Sequence, residues 1–185
     1  MGIIAGARQR ILSKSLGSPA AASAAAVHAA VTDNGSEQTI TTGITNPAVP
    51  RNITATAGGT AGDIKAIQVT VNGTNAEGVA ISEDLPAFTV NTAGTVTGSK
   101  AFATITSIVI PAHDGTGATT SIGTGSKLGL GERLSLDTIV AAHFGGTRES
   151  TRPTVAVSSS ALESNTVTLN SALDGSAVVV DFYSA

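Results

Sequence analysis

Cysteine and tryptophan are missing from this chain of 185 residues, tyrosine occurs once, and only 12% of residues are charged. Each shortage excludes something. Without cysteine, neither disulfides nor thiolate metal sites can hold the fold. With 3% aromatics and 10 Lys+Arg against 13 Asp+Glu, the chain lacks the basic excess and stacking side chains of a nucleic-acid binder. No apolar run reaches the roughly 18 residues that a membrane-spanning helix requires. The low charge also differs from a freely diffusing domain, whose surface is roughly 25–35% charged. Much of this surface is therefore Thr, Ser, Asn and Gly, or is covered by other subunits.

What is present is β-forming. Val, Ile and Thr are abundant, net charge is only −3, and this combination separates the chain from disordered sequences. A chain of this length can bury roughly 70% of the surface it exposes when open. From Gln38 onward the apolar period is two. Strands are expected at Gln38–Ile44, Arg51–Ala57, Lys65–Val71, Val79–Leu85, Val96–Ile110, Thr119–Ile122, Lys127–Leu130, Ser135–Ala142, Thr154–Val157, Thr166–Leu169 and Ala177–Tyr183. Asn72-Gly73 is a hairpin signal, because both residues tolerate positive φ. Pro86 and Pro111 end strands, and His113–Gly117 and Asp174-Gly175 read as turns. Regular strands with Gly-rich turns give the expected fold class: mainly β, an antiparallel sandwich or barrel with an extended or partly helical N-terminal arm.

The first 31 residues differ from the rest. Ile4, Ala7, Ile11 and Leu12 allow an amphipathic helix up to about Leu16. Gly17-Ser18-Pro19 stops it. Ala20–Ala30 has helical propensity and little else, and a flexible low-complexity arm is the alternative for the whole segment. Arg8, Arg10 and Lys14 before an Ala-rich stretch loosely mimic a secretory signal, but alanine makes a weak apolar region. The expected organisation is an arm and linker over residues 1–50, a β-sandwich or barrel over 51–131, and a smaller C-terminal β unit over 132–185 that can also complete the first domain.

Motifs for chemistry fail in detail. In Gly115–Gly131, Lys127 follows Ser126 and precedes Leu128, which breaks the P-loop, and Leu128 stands where a dinucleotide fingerprint needs its third glycine. His28, His113 and His143 lack metal-ligand spacing. His113-Asp114 reads as a turn before it reads as a dyad, and no Gly-x-Ser-x-Gly elbow occurs. Glu77, Glu83 and Asp84 read as a solvated strand face. The expectation is therefore no catalytic residue, cofactor or metal, and no small-molecule substrate. A carbohydrate-binding module would need exposed aromatics, and a hydrolase would need a site.

Asn46–Thr54, Asp63–Thr74, Glu83–Phe88 and Ile108–Gly115 resemble stretches of small virion proteins of tailed bacteriophages, most of all capsid-decorating (cement) proteins. The resemblance covers roughly residues 40–130, with a looser likeness in the tail from Leu173-Asp174-Gly175 onward. It implies a non-enzymatic structural protein on the outside of a capsid, made in the bacterial host cytoplasm. Its partners would be the major capsid protein and copies of itself, a trimer being one such ring. Tail-tube, head–tail connector and head-fibre subunits share the same β-rich style and form the alternative. In this frame the arm reaches a neighbour, with Ile4, Arg8, Arg10, Ile11, Leu12 and Lys14 as the partner-binding residues. An arm of this kind orders on a partner surface or adds a strand to its sheet edge.

Overall fold

The computed structural model describes residues 10–183. The protein is mainly β, with 50% of residues in strands and 3% helical. The strands are β1 Ile11–Gly17, β2 Ser23–Thr32, β3 Gln38–Ile40, β4 Arg51–Gly59, β5 Thr70–Thr74, β6 Ala80–Asp84 and β7 Gly94–Phe102. They continue with β8 Thr104–Ile110, β9 Ala118–Gly129, β10 Ile139–Phe144, β11 Thr147–Arg148, β12 Thr154–Ala156, β13 Thr166–Thr168 and β14 Val178–Tyr183.

All pairings are antiparallel and build three sheets. The central sheet has the order β12-β13-β9-β4-β7, with β2 also paired to β9. A side sheet runs β3-β8-β5-β6, and an end sheet runs β1-β14-β10-β11. Two apolar cores lie among them. The first joins Ile53, Ala55 and Ile122 of the central sheet to Val71, Ile105 and Ile108 of the side sheet, with Val27, Ile64, Leu85 and Phe102. The second gathers Leu16, Leu128, Ile139, Val167, Val178, Val180 and Phe182 beneath the end sheet. Strand β9 enters both, through Ile122 and Leu128.

The two helical readings in the arm are corrected wherever residues are described. Residues 11–17 form β1 on β14, because Ser13 and Ser15 alternate with Leu12 and Lys14, and Leu16 drops into the second core at a bulge. Residues 23–32 form β2. Alanine offers helix propensity alone, and a short isolated helix is marginal in water. Pairing with β9 and complete burial of Val27 outweigh it.

Other boundaries shift for identifiable reasons. Asn72-Gly73 lies inside β5 and is not a turn, because Gly73 lets the backbone of Thr104 approach: a Cβ there would meet the Thr104 carbonyl oxygen at 2.0 Å. The turn falls at Asn75, whose Oδ1 accepts the amides of Glu77 and Val79 at 3.0 and 3.1 Å. The expected run Val96–Ile110 is two strands, broken at Ala103. The expected pair Thr119–Ile122 and Lys127–Leu130 is the single strand β9.

Candidate functional site

Of the sequence-predicted partner residues, Arg10, Ile11 and Leu12 lie consecutively at the start of β1. Arg10 is exposed just before it, and Ile4 and Arg8 lie outside the described residues. Ile11 and Leu12 are 54% and 43% exposed and point to opposite faces of the strand. Lys14 is engaged within the molecule: its Nζ donates to Glu132 Oε1 at 2.7 Å and to the Gly131 carbonyl at 3.0 Å.

Two residues that sequence reasoning missed adjoin this strand end. Tyr183, 37% exposed, sits opposite Ile11 in the ladder. Its amide donates to the Thr138 carbonyl at 3.1 Å, and the Thr138 hydroxyl returns a bond to the Tyr183 carbonyl at 2.9 Å. Leu136, two positions before Thr138, is 71% exposed. Among the described residues, Ile11, Leu12, Leu136 and Tyr183 are four of the seven exposed large hydrophobic residues; Ile11, Leu12 and Tyr183 lie at one end of the end sheet, and Leu136 lies in the segment that leads into β10. The apolar Leu136 between Ser135 and Asp137 was the available signal, but it read as the interior of a strand.

The titratable side chains hold strands together. Asp181 on β14 accepts the Ser13 hydroxyl at 2.5 Å and His143 Nε2 at 2.9 Å. The Ser13 bond does most to hold its carboxyl below the ordinary aspartate range; burial opposes it, and the bond and charge of His143 add to the lowering. The order is serine–carboxylate–imidazole, so the ring cannot take the hydroxyl proton as it does in a serine hydrolase.

His113 is buried. Its Nδ1 accepts the Lys65 amide at 3.2 Å, so Nε2 carries the proton and donates to Thr120 Oγ1 at 3.0 Å. Burial lowers its pKa, and the charges of Asp33 and Asp114 oppose that. The backbone amide of His113 donates to Asp33 Oδ2 at 2.8 Å, which ties the end of β2 to the turn at 113–117. His113 is thus a packed histidine beside a turn.

Of the three carboxylates expected on one solvated face, Glu77 and Asp84 are exposed and Glu83 is buried. Glu83 Oε1 accepts the Ser99 amide and hydroxyl, both at 2.7 Å, and the Lys100 amide at 3.3 Å. It pins β6 of the side sheet to β7 of the central sheet. Glu77 instead forms a two-pronged pair with Arg133, at 2.9 and 2.6 Å.

Among the described residues, no group of three or more His, Cys, Asp or Glu side chains is placed to hold a metal ion, and no helix is long and apolar enough to cross a membrane. No protein-family model, curated protein or solved structure matches this chain.

Proposed function

We propose that this chain is a non-enzymatic structural protein of a tailed-phage virion, bound to the outer surface of the capsid and stabilising contacts between major capsid subunits. The observation that carries the reading is the apolar end of the end sheet, Ile11, Leu12 and Tyr183, with Leu136 in the segment that leads into β10, on a low-charge β body. Exposed apolar residues scattered singly are ordinary, whereas here Ile11 and Tyr183 lie opposite each other in the ladder and Leu12 follows on the other face of the same strand end. Ile11 and Leu12 lie on opposite faces of the outermost strand of this sheet, a form suited to insertion between two neighbouring surfaces. Arg10 beside them supplies a positive charge for an acidic neighbour. The partners in this reading are the major capsid protein and further copies of the chain.

A tail-tube, connector or head-fibre role is the second reading. The central sheet also ends in exposed strand β7, at residues 94–97, and unlike edges pairing head-to-tail would generate rings or tubes. Sedimentation velocity of the purified chain over a wide concentration range separates the two. Decoration requires a discrete small species that stays soluble on concentration. Growth into large rings or tubes would remove the decoration reading and leave the tube.

A further inference from the structure

Asn52, Lys127 and Gly98 meet at a place where three strands of the central sheet lose their regular register. The β4–β7 ladder slips between Asn52 and Thr54, and the β4–β9 ladder slips between Arg51 and Ile53. Residues 98–100 bulge from β7 at this point, and Glu83 fastens them from the far side. Asn52 is completely buried in the junction. Its room comes from missing side chains: a Cβ at Gly125 would lie 2.5 Å from both polar atoms of the Asn52 carboxamide.

Lys127 touches both ends of that carboxamide. Its backbone amide donates to Asn52 Oδ1 at 2.9 Å. At the other end, Asn52 Nδ2 donates to the Gly98 carbonyl at 3.0 Å, and Lys127 Nζ donates to the same oxygen at 3.4 Å. Lys127 thus bonds the oxygen end of the carboxamide through its backbone and shares the Gly98 carbonyl with the nitrogen end through its amine, so backbone and side chain of one lysine bracket the Asn52 side chain. A hydrogen bond to Oδ1 polarises the carbonyl and would stabilise negative charge developing there. Holding nucleophile and carbonyl together in one fold supplies the proximity that such a reaction needs.

We propose that Lys127 and Asn52 form an intramolecular isopeptide bond that joins β9 to β4 covalently. The lysine ammonium first loses a proton to solvent, which reaches this half-exposed side chain. The Nζ lone pair attacks Asn52 Cγ, the Cγ–Nδ2 bond breaks, and one of the remaining Nζ protons leaves with the departing amine as ammonia. The released ammonia takes up the proton given to solvent, so the balance is one ammonium ion lost and one amide made, with no oxidant or reductant. A lysine amine attacks only when deprotonated, a minor fraction at neutral pH, so the reaction is slow. It needs to happen only once per molecule. In a chain without cysteine, it supplies the covalent cross-link that disulfides give other β proteins. The proposal is independent of the virion reading.

Intact mass spectrometry of the unfolded full chain, after incubation at neutral and at alkaline pH, tests it. The expected mass is that of the sequence less one ammonia, reached faster at alkaline pH. Proteolysis should then give a branched peptide linking Asn52 to Lys127. Lys127→Arg, a substitution at a half-exposed position, should restore the full mass. An unmodified mass with linear peptides through Lys127 overturns the bond. So does an ammonia deficit that persists in Lys127→Arg, which would report cyclisation of an asparagine onto its own backbone.

Discussion

Arg51 is 3% exposed, and its three hydrogen bonds all go to backbone carbonyls. Nε and Nη2 donate to Gly125, and Nη1 donates to Ala20 at 2.9 Å. Burial lowers its pKa from the ordinary arginine value. The guanidinium fork can serve two carbonyls at once, which a lysine ammonium on a single point cannot reproduce. Hydrogen bonds to a charged group contribute about 1.5–3 kcal/mol each in favourable cases. Arg51→Met should therefore lower stability by about 3 kcal/mol in urea denaturation, and Arg51→Lys should recover only part of the loss. Nothing in the sequence around Arg51 marked it as buried, because burial of an arginine depends on carbonyls 31 and 74 positions away.

His113 gives a pH dependence with a definite sign. Its ring is bonded as the neutral tautomer, and its folded-state pKa lies below the ordinary value. As pH falls, the unfolded chain takes up the proton first, so the stability due to His113 is whole above about pH 6.5 and is lost below it. His113→Gln should flatten the fall in unfolding free energy between neutral pH and the carboxylate range, measured by denaturant melts at successive pH values. An unchanged slope would mean that the ring titrates freely in the folded protein. The sequence had His113 correctly beside a turn, but only the fold shows which atoms satisfy its nitrogens.

At the scale of elements, β9 and the arm carry the contrast between what was legible and what was not. Period-two alternation located most strands after Gln38, since inward and outward positions are a local property of the chain. Glycine was misread because its meaning is not local. Gly123 and Gly125 looked like a break between two short strands, yet they make close packing possible in the middle of one. A Cβ at Gly123 would lie 1.9 Å from the Ser23 carbonyl oxygen, where β2 crosses it. Gly123→Ala should accordingly displace the start of β2 and lower the melting temperature by several degrees, as expected for a loss of about 1–3 kcal/mol from forced overpacking. Gly35→Ala offers a contrast, because its Cβ would meet nothing within 4 Å although its φ of +79° adds backbone strain. It should cost less than Gly123→Ala.

The end sheet has its own acid-sensitive joint. Asp181 links β1 through Ser13 and β10 through His143, and its carboxyl is held below the ordinary range chiefly by the Ser13 hydroxyl. The resulting stability is present above about pH 4 and is lost as pH falls through the depressed folded-state value. Ser13→Ala should weaken the β1–β14 pairing by about 1 kcal/mol at neutral pH and move its acid loss to higher pH. Hydrogen exchange of the β1 amides reads both effects. Equal protection in the variant would show that Ser13 adds nothing to the strand. Over residues 11–16, the part of the expected helix that the structure describes, the helix signal failed because few apolar residues carry it, and pairing with β14 decides for a strand.

For the molecule as a whole, the two cores share β9, and the second draws Leu16 from the arm and Leu128 from the middle of the chain. The mainly β antiparallel class was readable from composition and turns. Of the residues in the proposed surface, Ile11 and Leu12 were singled out in the sequence as apolar positions of a helical arm, whereas Tyr183 adjoins them through the β1–β14 ladder and Leu136 through the bonds between Thr138 and Tyr183. Residues brought side by side from distant segments leave no contiguous pattern in sequence. The most direct test of the virion reading is co-sedimentation of the purified chain with capsids, lacking it, of the phage to which that reading assigns it, alongside an Ile11→Asp/Leu12→Asp variant shown to be folded. The account predicts saturable binding at a fixed ratio to the major capsid protein, weakened at least tenfold in the variant, about 1.4 kcal/mol or more. Absence of binding by the unaltered chain, or equal binding by the variant, would contradict it.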